Sequence, residues 1–259
     1  MEIFKKCFNK GGIIIFRLSP INLIEEENFS NAWARAVRFC HMFGTPLIFG
    51  DTKEPKKAKQ SVQLISLTGN AITQIENGEI HPKYPFKNIR QYADEFTREF
   101  LEEYLKRSED RKFVYLYFER MVKYEGSDGN LIDQLDLARQ QLREQIDSGV
   151  ASNRSQIVLW QRKKDDKSKA PPCVQRIWIQ YLGDGQVDVH QEFRSRDLMA
   201  LQANIIAIAE CLNREVVWPN NCRIARIVDY SDSLHIYDSM QNVVDEVKLV
   251  PYTTLPAYH

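Results

Sequence analysis

Long apolar runs, an excess of one charge and paired cysteines are all missing from this 259-residue chain. A membrane helix needs about 20 consecutive apolar residues. The apolar run Gly12 to Phe16 is far shorter, and no signal-cleavage pattern follows it. This predicts a soluble, cytoplasmic protein without a membrane partner. The 35 lysines and arginines balance 35 aspartates and glutamates. Bulk charge therefore gives no electrostatic grip on nucleic acid, and any bound anion must be held by a few placed cations. The five cysteines (Cys7, Cys40, Cys173, Cys211 and Cys222) are odd in number and widely scattered. No C-x-x-C pair and no Cys/His cluster has zinc spacing, so a disulfide framework and a metal site are both excluded as expectations. Repeats and low-complexity tracts are absent too.

What is present is enough apolar material for a sizeable core: 43% of the residues are hydrophobic and 11% aromatic. Phe29, Ala32, Trp33, Ala36, Val37 and Cys40 recur at helical spacing and predict a helix over Asn28 to Phe43, capped by Ser30 or Asn31. Lys53 to Gln60 reads as a basic connection, and Ser61 to Leu67 as a strand ending in a Thr68-Gly-Asn turn. A charged amphipathic helix is predicted over Asn88 to Arg107. Phe113 to Phe118 fits either a strand or a helix start. Leu131 to Ile146 reads as a helix with Ile132, Leu135, Leu142 and Ile146 inward, and Ile157 to Trp160 as a strand. Arg162 to Ala170 reads as a solvated loop. Arg176 to Tyr181 and Gln186 to Phe193, joined by Gly183-Asp-Gly185, predict a hairpin. Leu198 to Asn213 is a nearly all-apolar, hence buried, helix, and Ile224 to Tyr237 holds one or two strands. The sum is an α+β fold over residues 1–259: one domain, a mostly antiparallel sheet with helices against it.

Four segments of the second half carry chemistry. Cys173 follows Pro171 and Pro172, which stiffen the backbone under its thiol. A cysteine nucleophile needs nearby cations to favour its thiolate, and Arg154 and Arg194 are candidates. Arg194-Ser195 supplies a guanidinium fork and a hydroxyl, a pattern suited to phosphate. His235 and Tyr237, two apart on a strand, share a face and can hold a sugar hydroxyl. Asn204 lies within an apolar helix, where an amide must find a partner: either backbone or the edge of a base.

Singly each of these residues is ordinary; their order is not. Pro172-Cys173, then Arg194-Ser-Arg-Asp197, then Asn204 in a helix, then His235-Ile-Tyr237 resembles the core of the thymidylate synthase family. Asn153-Arg154 ahead of Trp160, Val114-Tyr115 with Arg120, and Ile132-Asp133-Gln134 extend the resemblance over about Val114 to Tyr237. The resemblance implies that Cys173 adds to ring carbon 6 of a pyrimidine nucleotide monophosphate, whose carbon 5 then takes a one-carbon unit from methylene-tetrahydrofolate. It implies that Arg194, Ser195 and Arg154 bind the 5′-phosphate, Arg154 from the partner subunit of a homodimer. Asn204 would read the base, His235 and Tyr237 the sugar, and Asp197 the pterin. Tyr115 would belong to the proton-transfer network. Glu95 is the candidate catalytic glutamate, with Glu99 its rival.

The chain also departs from the family pattern. Val174 stands where histidine usually follows the nucleophile, Trp178 where glutamine is usual, and Asn153 at the first position of an arginine pair. Relatives that hydroxymethylate pyrimidine nucleotides also lose some of these features. Asn204 can offer a donor and an acceptor to a uracil edge, whereas cytosine-specific relatives tend to carry a carboxylate there, so the resemblance favours conversion of dUMP to dTMP over hydroxymethylation of dUMP, dCMP or CMP. A non-catalytic nucleotide-binding homologue is the third reading.

Overall fold

A computed structural model describes residues 18–49, 55–86, 88–106 and 116–250. Cys7, Lys53, Val114, Tyr115 and positions 251–259 lie outside them. The first elements are β1 (Ile21–Glu26), α1 (Phe29–Phe43), β2 (Thr45–Phe49), β3 (Lys56–Thr68) and α2 (Asn70–Glu76). Then come α3 (Ile89–Asp94), α4 (Arg98–Lys106), α5 (Tyr117–Val122), β4 (Tyr124–Glu125), β5 (Leu131–Ile132) and α6 (Gln134–Ser148). The last are β6 (Gln156–Val158), α7 (Arg162–Asp165), β7 (Val174–Gly183), β8 (Gln186–Phe193), β9 (Arg196–Asp197), α8 (Leu201–Leu212), β10 (Arg223–Tyr237) and α9 (Gln241–Glu246).

The main sheet runs β1-β3-β10-β8-β7-β6, with β2 also on β3 and β9 also on β10. Four of its pairings are antiparallel (β3/β10, β2/β3, β6/β7 and β7/β8) and three parallel (β1/β3, β10/β8 and β9/β10). The fold is thus α+β with a mixed, mainly antiparallel sheet. Strand alternation sends Ile65, Leu67, Ile177, Ile179, Val187, Val189 and Ile227 into the core. On the other face Val62, Leu64, Trp178, His190, Val228 and Tyr230 are half-exposed, and Ile21 and Leu23 are exposed.

Helix α8 is the centre of the core. All of its residues but Glu210 are buried, as its apolar composition predicts. The β7–β8 hairpin closes as expected: Asp184 and Gly185 both have positive φ (48° and 68°), the two-residue turn that matches strand twist.

Elsewhere the structure corrects the sequence reading. The cap of α1 is Asn28, whose side chain accepts from Asn31 N, rather than Ser30 or Asn31. The basic connection is strand from Lys56 on, because β2 and β10 pair along it. The long helix over Asn88 to Arg107 is two helices. Thr97 breaks it, its hydroxyl donating to Asp94 O (2.7 Å) and accepting from Phe100 N (3.2 Å) as the cap of α4. Helix α6 starts after Asp133, which caps Leu135 N and Asp136 N, so Ile132 falls in a short strand and is 37% exposed. The charged run after Trp160 contains a helical turn that buries Asp165 against Arg120 at 2.8 Å. Arg120 is therefore committed to a structural ion pair.

Candidate active site

The loop bearing Cys173 is fastened by one residue. Arg194 Nη2 donates to Pro171 O (2.8 Å), its Nε to Pro172 O (2.9 Å), and its backbone N to Cys173 O (3.0 Å). Three successive carbonyls are thus held by the first residue beyond β8, which fixes where the thiol stands. The Arg194 guanidinium also lies 5.9 Å from the Trp160 ring. Only two of its five N–H donors are spent on the prolines, so the same group can hold the loop and still face an anion.

Cys173 and Arg194 line a cleft of about 710 Å³ together with Phe86, Tyr92, Glu95 and Asn204. Leu116, Tyr117, Pro171, Ala200 and Ala203 add apolar wall, and Lys169 a second cation. The volume suits a small-molecule site, as does the pairing of a mostly apolar lining with a few polar groups. Glu95 reaches the cleft because α3 ends there; its rival Glu99 is exposed on α4 and does not line it. Asn204, 7% exposed, donates from Nδ2 to Tyr92 Oη at 2.8 Å.

His235 and Tyr237 form a neighbouring cluster at the end of β10. The His235 ring stacks on Phe49 (4.8 Å) and meets Tyr237 edge-on (5.0 Å). Its Nδ1 lies 3.2 Å from Ser233 O; donating there leaves Nε2 an acceptor. Burial keeps the imidazole below its ordinary pKa, against the pull of Ser233 and Asp197. Burial pushes the Tyr237 phenol up, and the nearby Asp197 and Cys173 add to the rise, which ties this cluster electrostatically to the thiol. Asp197 pairs in register with His235 and caps the turn after it, accepting from Met199 N at 2.9 Å. Burial raises its carboxyl. Ser195 and Asp197 are half-buried and are not walls of the cleft.

Arg154 lies elsewhere. It is exposed and lines a separate hollow with Gln141, Gln145 and Ser152. Its loop is pinned to the half-exposed face of the sheet, where Trp178 Nε1 donates to Asn153 O (3.2 Å) and Gln180 Nε2 to Asn153 Oδ1 (2.9 Å). Trp178 meets His190 edge-on (4.7 Å) on that face, away from the thiol. Tyr115 lies outside the described residues. Sequence reasoning missed Phe86, Tyr92 and Lys169. Tyr92 was legible in hindsight: it precedes Glu95 by one helical turn and so shares its face.

The α+β scaffold thus gathers a clamped cysteine, a guanidinium, a carboxylate and an amide around one cleft. The chain belongs to the thymidylate synthase family, which matches residues 84–257. It is also similar to a Methanopyrus kandleri protein named "Putative thymidylate synthase", 26% identical over 166 residues, covering 63% of this chain and 70% of the relative. Membership supports a transferase that moves one-carbon units to pyrimidines, with a folate co-substrate, in general terms. No helix among the described residues is long and apolar enough to cross a membrane.

Arg194 holds the cysteine loop, and the family resemblance also expects it at the phosphate, so its loss should be costly. A charge-assisted hydrogen bond contributes about 1.5–3 kcal/mol, so Arg194→Ala should weaken nucleotide binding about tenfold or more. Calorimetric titration checks this. Unchanged affinity would remove Arg194 from the anion site.

Proposed function

We propose that this protein transfers a one-carbon unit from methylene-tetrahydrofolate to ring carbon 5 of dUMP, giving dTMP. The observation that carries the reading is the convergence of Cys173, Arg194, Asn204 and Glu95 in one cleft. In this reading the Cys173 thiolate adds to ring carbon 6, and the displaced electron pair makes carbon 5 the nucleophile. Arg194 and Ser195 take the phosphate, and Asn204 the base edge. His235 Nε2 and the Tyr237 hydroxyl take the sugar. Glu95, with Tyr115, serves proton transfer, and Asp197 faces the pterin. The aromatic wall of Phe86, Tyr92 and Tyr117 suits a flat reduced pterin stacked over the base.

The competing reading, a pyrimidine nucleotide hydroxymethylase, is favoured by one observation. Val174 is fully buried beside the nucleophile, and Trp178 points to the other face of the sheet. Neither supplies a polar group behind the cysteine, where order is needed to keep water from the exocyclic methylene. Mass analysis of the product from dUMP and methylene-tetrahydrofolate separates the two. We expect a gain of one methyl group with dihydrofolate formed; a hydroxymethyl product without dihydrofolate would establish the alternative. No product from dUMP, dCMP or CMP would leave nucleotide binding alone.

Arg154 completes the reading only across an interface. Its loop stands at the rim of the sheet face that carries exposed Ile21 and Leu23. We therefore expect a symmetric dimer joined through this face, each Arg154 serving the partner's cleft. Sedimentation at micromolar concentration tests this, and a fully active monomer would contradict it.

A further inference from the structure

We infer that Arg214 is a positioning residue for Glu95: it holds the backbone corner from which that carboxylate enters the cleft. The inference rests on the function proposed above and on the proton-transfer role given there to Glu95. Glu95 closes α3, and the chain then turns sharply into α4. The backbone is pinned on both sides of it. Glu95 N donates to Tyr92 O (3.2 Å) and Phe96 N to Ala93 O (3.0 Å), while the Phe96 ring is buried. The carbonyls at a helix end have no acceptor role left in their own helix and need outside donors. For Phe96 O that donor is Arg214 Nη2, at 2.5 Å.

Arg214 is itself held from several sides. It stands on a π-helical turn, Asn213–Val217, that continues α8 beyond Leu212. Such wide turns recur at functional sites. Its Nε donates to Glu215 Oε1 (3.1 Å). Arg98, the first residue of α4, gives Nε and Nη2 to Glu215 Oε2 (3.1 and 3.0 Å). Arg98 Nη1 also reaches Asp133 Oδ2 (2.9 Å), and the other oxygen of Asp133 caps α6. Two guanidiniums and two carboxylates thus balance in charge and fix Arg214 against α4 and α6. Helix α8 packs on α3 and carries Asn204, so the bond to Phe96 O ties the Glu95 corner to the helix that forms another wall of the cleft. Arg214 does not line the cleft, and its side chain is 39% exposed. Its loss leaves Glu215 paired with Arg98 and the core filled. What disappears is the tether beside Glu95, and a reacting group displaced by about 1 Å can lose about a hundredfold in rate.

A double-mutant cycle isolates this. Turnover with methylene-tetrahydrofolate, on whichever of dUMP, dCMP and CMP is the substrate, would be measured for the full-length wild type, Arg214→Ala, Glu95→Gln and the double variant. Calorimetric titration gives nucleotide affinity, and thermal melting by circular dichroism checks folding. We expect Arg214→Ala to lower kcat about tenfold or more while nucleotide affinity stays within about twofold. In the Glu95→Gln background the same substitution should cost almost nothing further, because the carboxylate through which it acts is already gone. Should Arg214→Ala melt far below wild type, Arg214→Lys, which keeps the charge beside Glu215 but not the fork, carries the same comparison. A general loosening of the cleft would weaken nucleotide binding too and cost as much in either background. That outcome, or an unchanged kcat, overturns the role of Arg214 while the proposed function stands. A Glu95→Gln variant with wild-type turnover removes Glu95 from the chemistry and Arg214 with it. A wild type that turns over none of the three nucleotides overturns the proposed function itself, and this inference with it.

Discussion

With a 5-fluoro pyrimidine nucleotide and methylene-tetrahydrofolate, the wild-type protein should form a stable covalent adduct at Cys173, and Cys173→Ser should form none. The fluorine at carbon 5 cannot leave as the proton does, so the reaction halts with the sulfur still bonded to carbon 6. Serine is nearly isosteric, yet its hydroxyl is far less acidic than a thiol and stays protonated at neutral pH without a dedicated base. The Arg194 clamp is made with backbone carbonyls, so the substitution leaves the loop in place. The expected loss of turnover is about three orders of magnitude or more, the scale on which nucleophile removal acts in other enzymes. Intact-protein mass spectrometry reads the adduct, and peptide mapping locates it. An adduct on Cys40, Cys211 or Cys222 is disfavoured by geometry. All three are buried, and burial pushes the thiols of Cys40 and Cys211 up to about 11 and about 12. A label on any of them, or a serine variant that turns over normally, would sink the assignment.

The contrast among these cysteines shows what the sequence can and cannot disclose. Burial was legible as the default for Cys40, Cys211 and Cys222, and the two prolines set half-buried Cys173 apart from them because prolines constrain backbone locally. That Arg194 reaches the same cleft was legible only through the order of motifs: Arg194 and the prolines meet because β7 and β8 pair, a contact no local window contains. The β7–β8 hairpin and α8 were readable for the opposite reason, being specified by turn chemistry and by an unbroken apolar face. Glu95 enters the cleft because Thr97 ends one helix and caps the next, a side-chain event that hydrophobic periodicity does not register. The basic stretch over Lys56 to Gln60 became strand against its composition, since backbone pairing on both edges outweighed side-chain polarity. Asp165 looked solvated because its partner Arg120 is remote in sequence. The second arginine of the Arg194-Ser-Arg segment likewise gave no hint of its role.

That second arginine leads to the largest stability effect we expect. Arg196 and Asp229 are 3% and 1% exposed, and their side chains pair through both carboxylate oxygens, with Nη1 to Oδ2 at 3.0 Å. Arg196 also donates to Ser231 Oγ at 3.0 Å and lies 3.8 Å from the Phe193 ring. Complete burial raises the carboxyl of Asp229, and the guanidinium of Arg196 opposes that rise. Asp229→Ala would strand a guanidinium in the core, and breaking a buried pair from one side typically costs about 3–5 kcal/mol. The midpoint of urea unfolding should fall accordingly, with the slope unchanged if the transition stays two-state. Replacing both partners with apolar residues, as in Arg196→Met with Asp229→Leu, removes the stranded charge as well as the pair, and should recover most of the loss. The functional consequence follows from position. Arg196 joins β9 to β10 between Ser195 and Asp197, so the pair holds the corner that carries the proposed phosphate and pterin contacts. We therefore expect the double variant to fold well yet bind nucleotide more weakly than wild type. A single variant as stable as wild type would show that water or a rearranged partner satisfies Arg196; a double variant with full affinity would show that the corner is held by strand pairing alone.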